Sequence, residues 1–209
     1  MKTLNLDSLE ITHLQHASFK IKTPDQMIYL DPFKVSAGEP ADLILITHEH
    51  FDHFDPASIK KISDPETIIV LPVYLSDKIS GNIKPIKIGE TIKIAGLEIT
   101  ALPAYNLTKS FHPKDRGDLS YLIELDGKRI FFSGDSDNVP EWKNLKNIDV
   151  AMLPIGGTYT MDEEEAAEAV KKIQPKMVMP MHYGPIPGGG DAEKFKGLVG
   201  GSTQVQILG

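Results

Sequence analysis

At 209 residues the chain is long enough to bury a substantial core, and one domain over residues 1–209 is the natural expectation. A net charge of −7, with 41% hydrophobic and 24% charged residues, argues against a general nucleic-acid binder, which would show a basic face. No apolar run approaches a membrane span and the first residues hold no signal-peptide core. Cysteine is absent, which removes disulfides, thiolate ligands and cysteine nucleophiles at once. A cytoplasmic chain is expected, although a cysteine-free sequence fits secretion too, and the reading leaves room for a homo-oligomer.

Strands are expected at Leu9–Leu14, Ser18–Lys22 and Met27–Asp31, the last two joined through a Thr23-Pro24-Asp25 turn. Leu43–Ile46 is a continuous apolar run and reads as a fully buried strand. A helix follows at about Pro56–Ile62, with Asp55 as its cap and proline in its first position. Further strands fall at Thr67–Leu71, Ile83–Ile88, Thr91–Ile94 and Leu97–Leu102. In the second half, Leu119–Leu125 and Lys128–Ser133 flank Asp126-Gly127, a strong hairpin signal. Asp149–Leu153, Met177–Pro180 and Thr203–Leu208 complete the strands, with helices at about Asp162–Ile173 and Asp191–Lys196. Thr160-x-x-Glu163 reads as the capping box of the longer helix.

The two halves echo one another. Ser18–Ile21 and Met27–Asp31 match Ser120–Ile123 and Ile130–Asp135; Asp42–Leu45 matches Asp149–Met152; Val70–Pro72 matches Val178–Pro180. A steady offset near half the chain length, with elements in the same order, predicts two similar β-rich halves at about 1–105 and 118–209. Two mixed sheets packed face to face, with helices outside, give a four-layer α/β/β/α sandwich.

Chemistry concentrates where strands run out. Thr47-His48-Glu49-His50-Phe51-Asp52-His53 holds three of the seven histidines, and imidazole with carboxylate at this density suits a divalent metal. His182 leaves the strand ending in Pro180-Met181 as His48 leaves its own. Asp135 follows Ser133-Gly134, where glycine allows close approach. His112 lies in the long loop Asn106–Asp118, and loops of that length are commonly functional.

These residues, with Leu153-Pro154-Ile155-Gly156-Gly157-Thr158-Tyr159-Thr160-Met161 and Gln15-His16-Ala17-Ser18-Phe19, resemble the metallo-β-lactamase superfamily. They are similar to its small stand-alone metal-dependent hydrolases, related to the ascorbate-6-phosphate lactonase group. The resemblance covers essentially the whole chain and implies the αββα metallo-β-lactamase fold. It also implies two divalent metals: His48, His50 and His112 on the first, Asp52, His53 and His182 on the second, Asp135 bridging. The absence of the cysteine that β-lactamases proper often use at the second site argues against a true β-lactamase.

Two such ions sharing a water lower its pKa toward about 7, so hydroxide exists at neutral pH. The expected activity is hydrolysis of a small, anionic ester, lactone or phosphoester, with zinc the first choice of metal and manganese the alternative. The rival readings are a nuclease or phosphodiesterase and a non-catalytic metal-binding domain. Asp52 would orient the nucleophile or move its proton, His16 would line the pocket, and Tyr183 would donate to substrate. Asp31, taken as the repeat counterpart of Asp135, would accept a hydrogen bond from a ligand histidine. Lys109, Lys114 and Arg116 could draw in an anion, although such residues are more often solvated loop charges, and Gly188-Gly189-Gly190-Asp191 before a helix reads better as a plain loop with Asp191 as N-cap than as an anion cradle. His13 reads as structural.

Overall fold

Uninterrupted apolar runs take the middle of sheets buried on both faces, and alternating runs take the edges. The computed structural model, which describes residues 3–36 and 38–208, follows that rule twice. The chain forms two compact units, Met1–Lys87 with Leu208–Gly209, and Ile88–Ile207.

In the first unit, β1 (Thr3–Leu6), β2 (Leu9–Gln15), β3 (Ser18–Lys22) and β4 (Met27–Leu30) pair antiparallel in sequence order. β5 (Leu43–Leu45), β6 (Ile68–Pro72) and β7 (Asn82–Ile86) extend the same seven-stranded sheet in parallel. The second unit repeats the scheme. β8 (Thr91–Ile94), β9 (Leu97–Pro103), β10 (Leu119–Leu125) and β11 (Lys128–Phe132) pair antiparallel. β12 (Val150–Pro154), β13 (Met177–Met181) and β14 (Gln204–Val205) then add in parallel. Every residue of β4, β5, β12 and β13 is buried, whereas the edge strands β1 and β8 alternate between exposed and half-buried.

The predicted repeat is thus visible as strand order, but its halves divide earlier: β8 and β9, both before residue 105, belong to the second sheet. Register corrects one correspondence. Phe19 faces Leu30 and Leu30 faces Leu45, as Tyr121 faces Phe132 and Phe132 faces Met152. The next amides do the same work, Asp31 N donating to Leu45 O at 2.9 Å and Ser133 N to Met152 O at 3.2 Å. Ser133, not Asp135, is therefore the counterpart of Asp31.

The helices dock by narrow apolar stripes. α1 (Pro56–Ile62) starts as predicted, Asp55 accepting from the Ala57 amide, and it buries Ile59 and Ile62 among Tyr29, Ile44, Ile69 and Leu71. Each fully buried side chain of this kind contributes roughly 1.5–3 kcal/mol. α2 (Glu163–Ile173) buries Ala166, Ala169, Val170 and Ile173, and α3 (Ala192–Val199) buries Phe195 and Val199. Trp142 anchors that second core, edge-on to Phe131 at 5.1 Å. The capping box is Asp162 with Glu165, two residues beyond the predicted pair. Thr160 and Met161 are buried ahead of the helix, with the Thr160 hydroxyl bonded to Met161 O, so Asp162 is the residue left to cap it.

Candidate metal centre

In the first unit the polar residues are placed by the ends of β4 and β5. Asp31 leaves β4 with φ 43° and is completely buried. Its carboxylate accepts from Thr47 N at 2.8 Å, Thr47 Oγ1 at 2.6 Å and His53 Nδ1 at 2.7 Å. Burial pushes the Asp31 carboxyl up, and His53 and the two Thr47 donors pull against it. The predicted bond from a histidine to Asp31 is present. Two backbone bonds to His50 O, from His53 N at 2.9 Å and Phe54 N at 2.8 Å, fold the His50–Phe54 turn back on itself.

This network sets histidine tautomers. An ionised Asp31 only accepts, so His53 carries its proton on Nδ1. The Thr47 hydroxyl spends its hydrogen on Asp31 and so accepts the Nδ1 proton of His48, 2.9 Å away. In both rings Nε2 is left with its lone pair. His48 Nε2 lies 3.0 Å from His50 Nδ1, and single donor atoms of Asp31, His48 and His53 lie within 4.8 Å of one another. Asp52 Oδ2 accepts from His16 Nε2 at 2.8 Å and lies 4.0 Å from His53 Nε2.

In the second unit Asp135 follows β11 through Gly134, whose φ of 56° suits glycine. His182 follows β13. The two oxygens of Asp135 address different histidines: Oδ1 is 2.8 Å from His182 Nε2, and Oδ2 is 3.6 Å from His112 Nε2. All three residues are buried. His112 is held by a residue that sequence reading missed. Asn106 Oδ1 accepts both His112 N and His112 Nδ1 at 3.1 Å, while Asn106 N donates to His112 O at 2.8 Å. The Asn106 amide nitrogen is pinned in turn by Asp137 Oδ1 and Tyr159 O, both at 3.1 Å. His112 therefore also carries its proton on Nδ1, with the lone pair on Nε2.

These donor sets fit divalent metal. Three histidines give their Nδ1 proton to a carboxylate, a hydroxyl or an amide oxygen, the arrangement that orients metal-binding imidazoles. Two ligands at about 2.0–2.1 Å from one ion lie roughly 3 Å apart, the separation of the His48 and His50 nitrogens. With nitrogen and carboxylate donors and no sulfur, zinc and manganese both suit the set.

The remaining candidates make contacts of their own. Lys109 reaches Asp137 at 3.3 Å and Glu165 at 3.2 Å, Lys114 reaches Glu141 at 3.2 Å and the Tyr105 hydroxyl at 3.1 Å, and Arg116 chelates Asp118. All three cations are engaged inside the unit. Burial opposes the charge of Lys109, but Asp137 and Glu165 outweigh it and hold its pKa up. The glycines before α3 lead into the expected cap rather than an anion cradle: Asp191 caps that helix, accepting from the amides of Glu193 and Lys194. Gly190 instead packs where a Cβ would stand 1.9 Å from Ile155 O, and a Cβ on Gly156 would meet Gly188 O at 2.3 Å. Such close approach fixes the loop that follows His182. Tyr183 packs against the apolar core of the second unit. His13 bonds Leu208 O at 2.7 Å and His16 O at 2.9 Å and stacks on Phe19, a structural role as expected.

Thr47 and Asp137 were also missed. Thr47 was readable as the hydroxyl preceding the first histidine. Asp137, which accepts the Leu107 amide at 2.7 Å, gave no signal beyond its place after Asp135.

Comparison with known proteins agrees with this geometry. The family described as the beta-lactamase superfamily domain matches residues 10–182. A metal-dependent hydrolase of the UPF0173 group from Thermococcus onnurineus is 35% identical, over 96% of both chains. A solved structure from Parabacteroides distasonis superposes with a TM-score of 0.88 at 34% identity, covering 99% of this chain and 97% of that one. A metallo-β-lactamase superfamily structure from Thermotoga maritima, 21% identical, shares the fold with a TM-score of 0.68 over 95% and 97% of the two chains. With two mixed sheets and few helices, the chain has the expected α/β fold and belongs to the metallo-β-lactamase superfamily.

Proposed function

We propose that this chain is a binuclear metal-dependent hydrolase acting on a small ester, lactone or phosphoester. His48, His50 and His112 would hold one divalent ion, and Asp52, His53 and His182 the other. Asp135 would be shared between them. The observation that carries this reading is Asp135, buried with one oxygen toward His182 and the other toward His112, as a carboxylate shared by two ions requires. When bound, divalent ions supply a nucleophilic hydroxide at neutral pH and neutralise charge developing on the substrate oxygen.

The chain's own residues supply the rest. Asp31, Thr47 and Asn106 fix the rings, so their donor atoms are set before any ligand arrives. Asp52 takes the proton released as water attacks, and His16, bonded to it at 2.8 Å, orients its carboxylate. The proton then passes to the leaving oxygen as the bond to the carbonyl or phosphorus breaks. Lys109, Lys114 and Arg116 are already paired, so an anionic group on the substrate would not be met by these three cations. A nuclease would need a basic track, and neither the net charge nor these cations provides one.

Mass-spectrometric metal analysis of wild type and Asp135→Ala, alongside an ester, lactone and phosphodiester panel, tests the reading. Two metals per wild-type chain, at most one in the variant, and turnover on one class that falls at least 100-fold are expected. Fewer than two metals in wild type, or no loss in the variant, refutes the binuclear assignment. Two metals with no turnover on any class would make the chain a metal-binding domain without this activity.

A further inference from the structure

The first unit contains a groove of about 450 Å³ that the metal ligands do not use, lined by Leu14, Gln15, Lys20, Phe33, Lys34 and Val35 among others. That volume lies in the range of small-molecule sites. Its wall is held from several directions. Phe33 N donates to Ser18 Oγ at 3.3 Å, Lys34 N to Asp55 Oδ2 at 3.1 Å and Val35 N to Ser58 Oγ at 2.8 Å, while Gln15 Nε2 donates to Phe33 O at 3.0 Å. These bonds hold Lys34 at φ 49°, a conformation a lysine rarely adopts. Backbone strain maintained in this way points to a required side-chain placement.

Phe33 is the link to the chemistry. Its ring lies 6.2 Å from that of His16, which holds Asp52, and 5.8 Å from that of Phe51. Phe51 sits between His50 and Asp52 and is 76% exposed, so its ring is open to a substrate that reaches those residues. On the groove side, the Lys34 ammonium stands 4.8 Å from the Phe33 ring centroid. No carboxylate pairs with Lys34 among the described residues, whereas Lys20 reaches Glu39 at 3.4 Å.

We propose that this groove takes an aliphatic arm of the substrate, lying along Phe33 and ending in an anionic group bound by Lys34. The scissile ester would lie by Phe51 and Asp52. The preferred substrate is then an acyl ester or lactone whose acyl chain carries a distal carboxylate or phosphate. This rests on the hydrolytic reading above and narrows it.

The test compares p-nitrophenyl hexanoate with mono-p-nitrophenyl adipate on the metal-loaded wild type and Lys34→Glu. In parallel, hexanoate and adipate are titrated while backbone amides are followed by NMR. Wild type should favour the adipate member of each pair by about two- to fivefold, as one exposed ion pair allows, and Lys34→Glu should abolish or reverse that preference. Shifts should centre on Leu14, Gln15, Lys34 and Val35. An adipate preference that is equal in the two proteins, or shifts centred elsewhere, overturns the groove assignment. If neither ester turns over, the ester form of the hydrolytic reading fails by itself, and the two binding titrations still decide whether the groove recognises the distal charge.

Discussion

Replacing Asp31 by asparagine should disarm two histidines without touching either. The new Oδ1 can keep the Thr47 amide bond, but Nδ2 must face the Thr47 hydroxyl and His53 Nδ1, both of which now donate to the carboxylate. To avoid donor facing donor, His53 must move its proton to Nε2. The Thr47 hydroxyl becomes an acceptor of Nδ2 and turns its hydrogen on His48 Nδ1, which sends that proton to Nε2 as well. Both atoms proposed to bind metal are then blocked. Losing such an orienting partner costs about 10- to 100-fold in metal affinity, or about 1.4–2.8 kcal/mol. The metal-free fold should suffer less. Charge-assisted bonds worth about 1.5–3 kcal/mol are lost, but so is the cost of burying a charge, which already pushes the Asp31 carboxyl up. Chelator-competition titrations with zinc, paired with thermal melts of the metal-free proteins, separate the two effects. Wild-type zinc affinity in Asp31→Asn would refute the tautomer argument, as would a metal-free melting point that collapses while affinity holds.

Asn106→Ala should release His112 from both of its 3.1 Å bonds; about 1–3 kcal/mol of stability and roughly tenfold affinity for one metal should go, measured by urea unfolding and metal titration. Asp162→Ala should lower the urea-derived stability by about 0.5–2 kcal/mol, while Thr160→Ala, the cap expected from sequence, should leave the helix N-terminus intact by amide exchange. Burial opposes ionisation of Asp149, yet the Lys176 ammonium and the Arg129 amide overcome it and hold its carboxyl below the usual range. A depressed folded-state pKa contributes stability above the unfolded carboxylate pKa and loses it as pH falls through the folded one. Asp149→Asn should therefore be less stable than wild type at pH 7, and the gap should shrink in urea melts as pH drops below the ordinary carboxylate range.

What the sequence disclosed depended on how local the cause was. The interiors of β5, β12 and β13 were legible because five or fewer consecutive apolar residues, bounded by polar ones, leave few alternatives. β1 escaped, since Thr3–Leu6 is a short edge strand whose burial alternates only weakly. The α2 cap was misplaced because Thr160 is as good a cap as Asp162 on paper, and only the burial of Met161 decides between them. At the site, every histidine at a strand end was found, for strand ends project polar groups in predictable places. Asn106 was not, because its value depends on a loop closing so that residues six apart share three hydrogen bonds. The cations beside His112 could be read as an anion trap or as ordinary loop charges, and only three-dimensional pairing shows that their charges are spent on neighbouring carboxylates.

The registers inside the two sheets match strand for strand, yet the residues that follow differ. At the position where the first sheet ends in Asp31, the second ends in Ser133, and its carboxylate comes two residues later, beyond a glycine. Those two residues do not simply prolong the strand, because Gly134 lies in the left-handed region at φ 56° and turns the chain. The same strand end therefore serves as a clamp in one half and as the root of an outstretched arm in the other. A side chain at the root can only hold what is already there, while one at the tip can be given to an outsider. Moving a carboxylate from one place to the other needs no new fold, only two more residues and a glycine flexible enough to turn them.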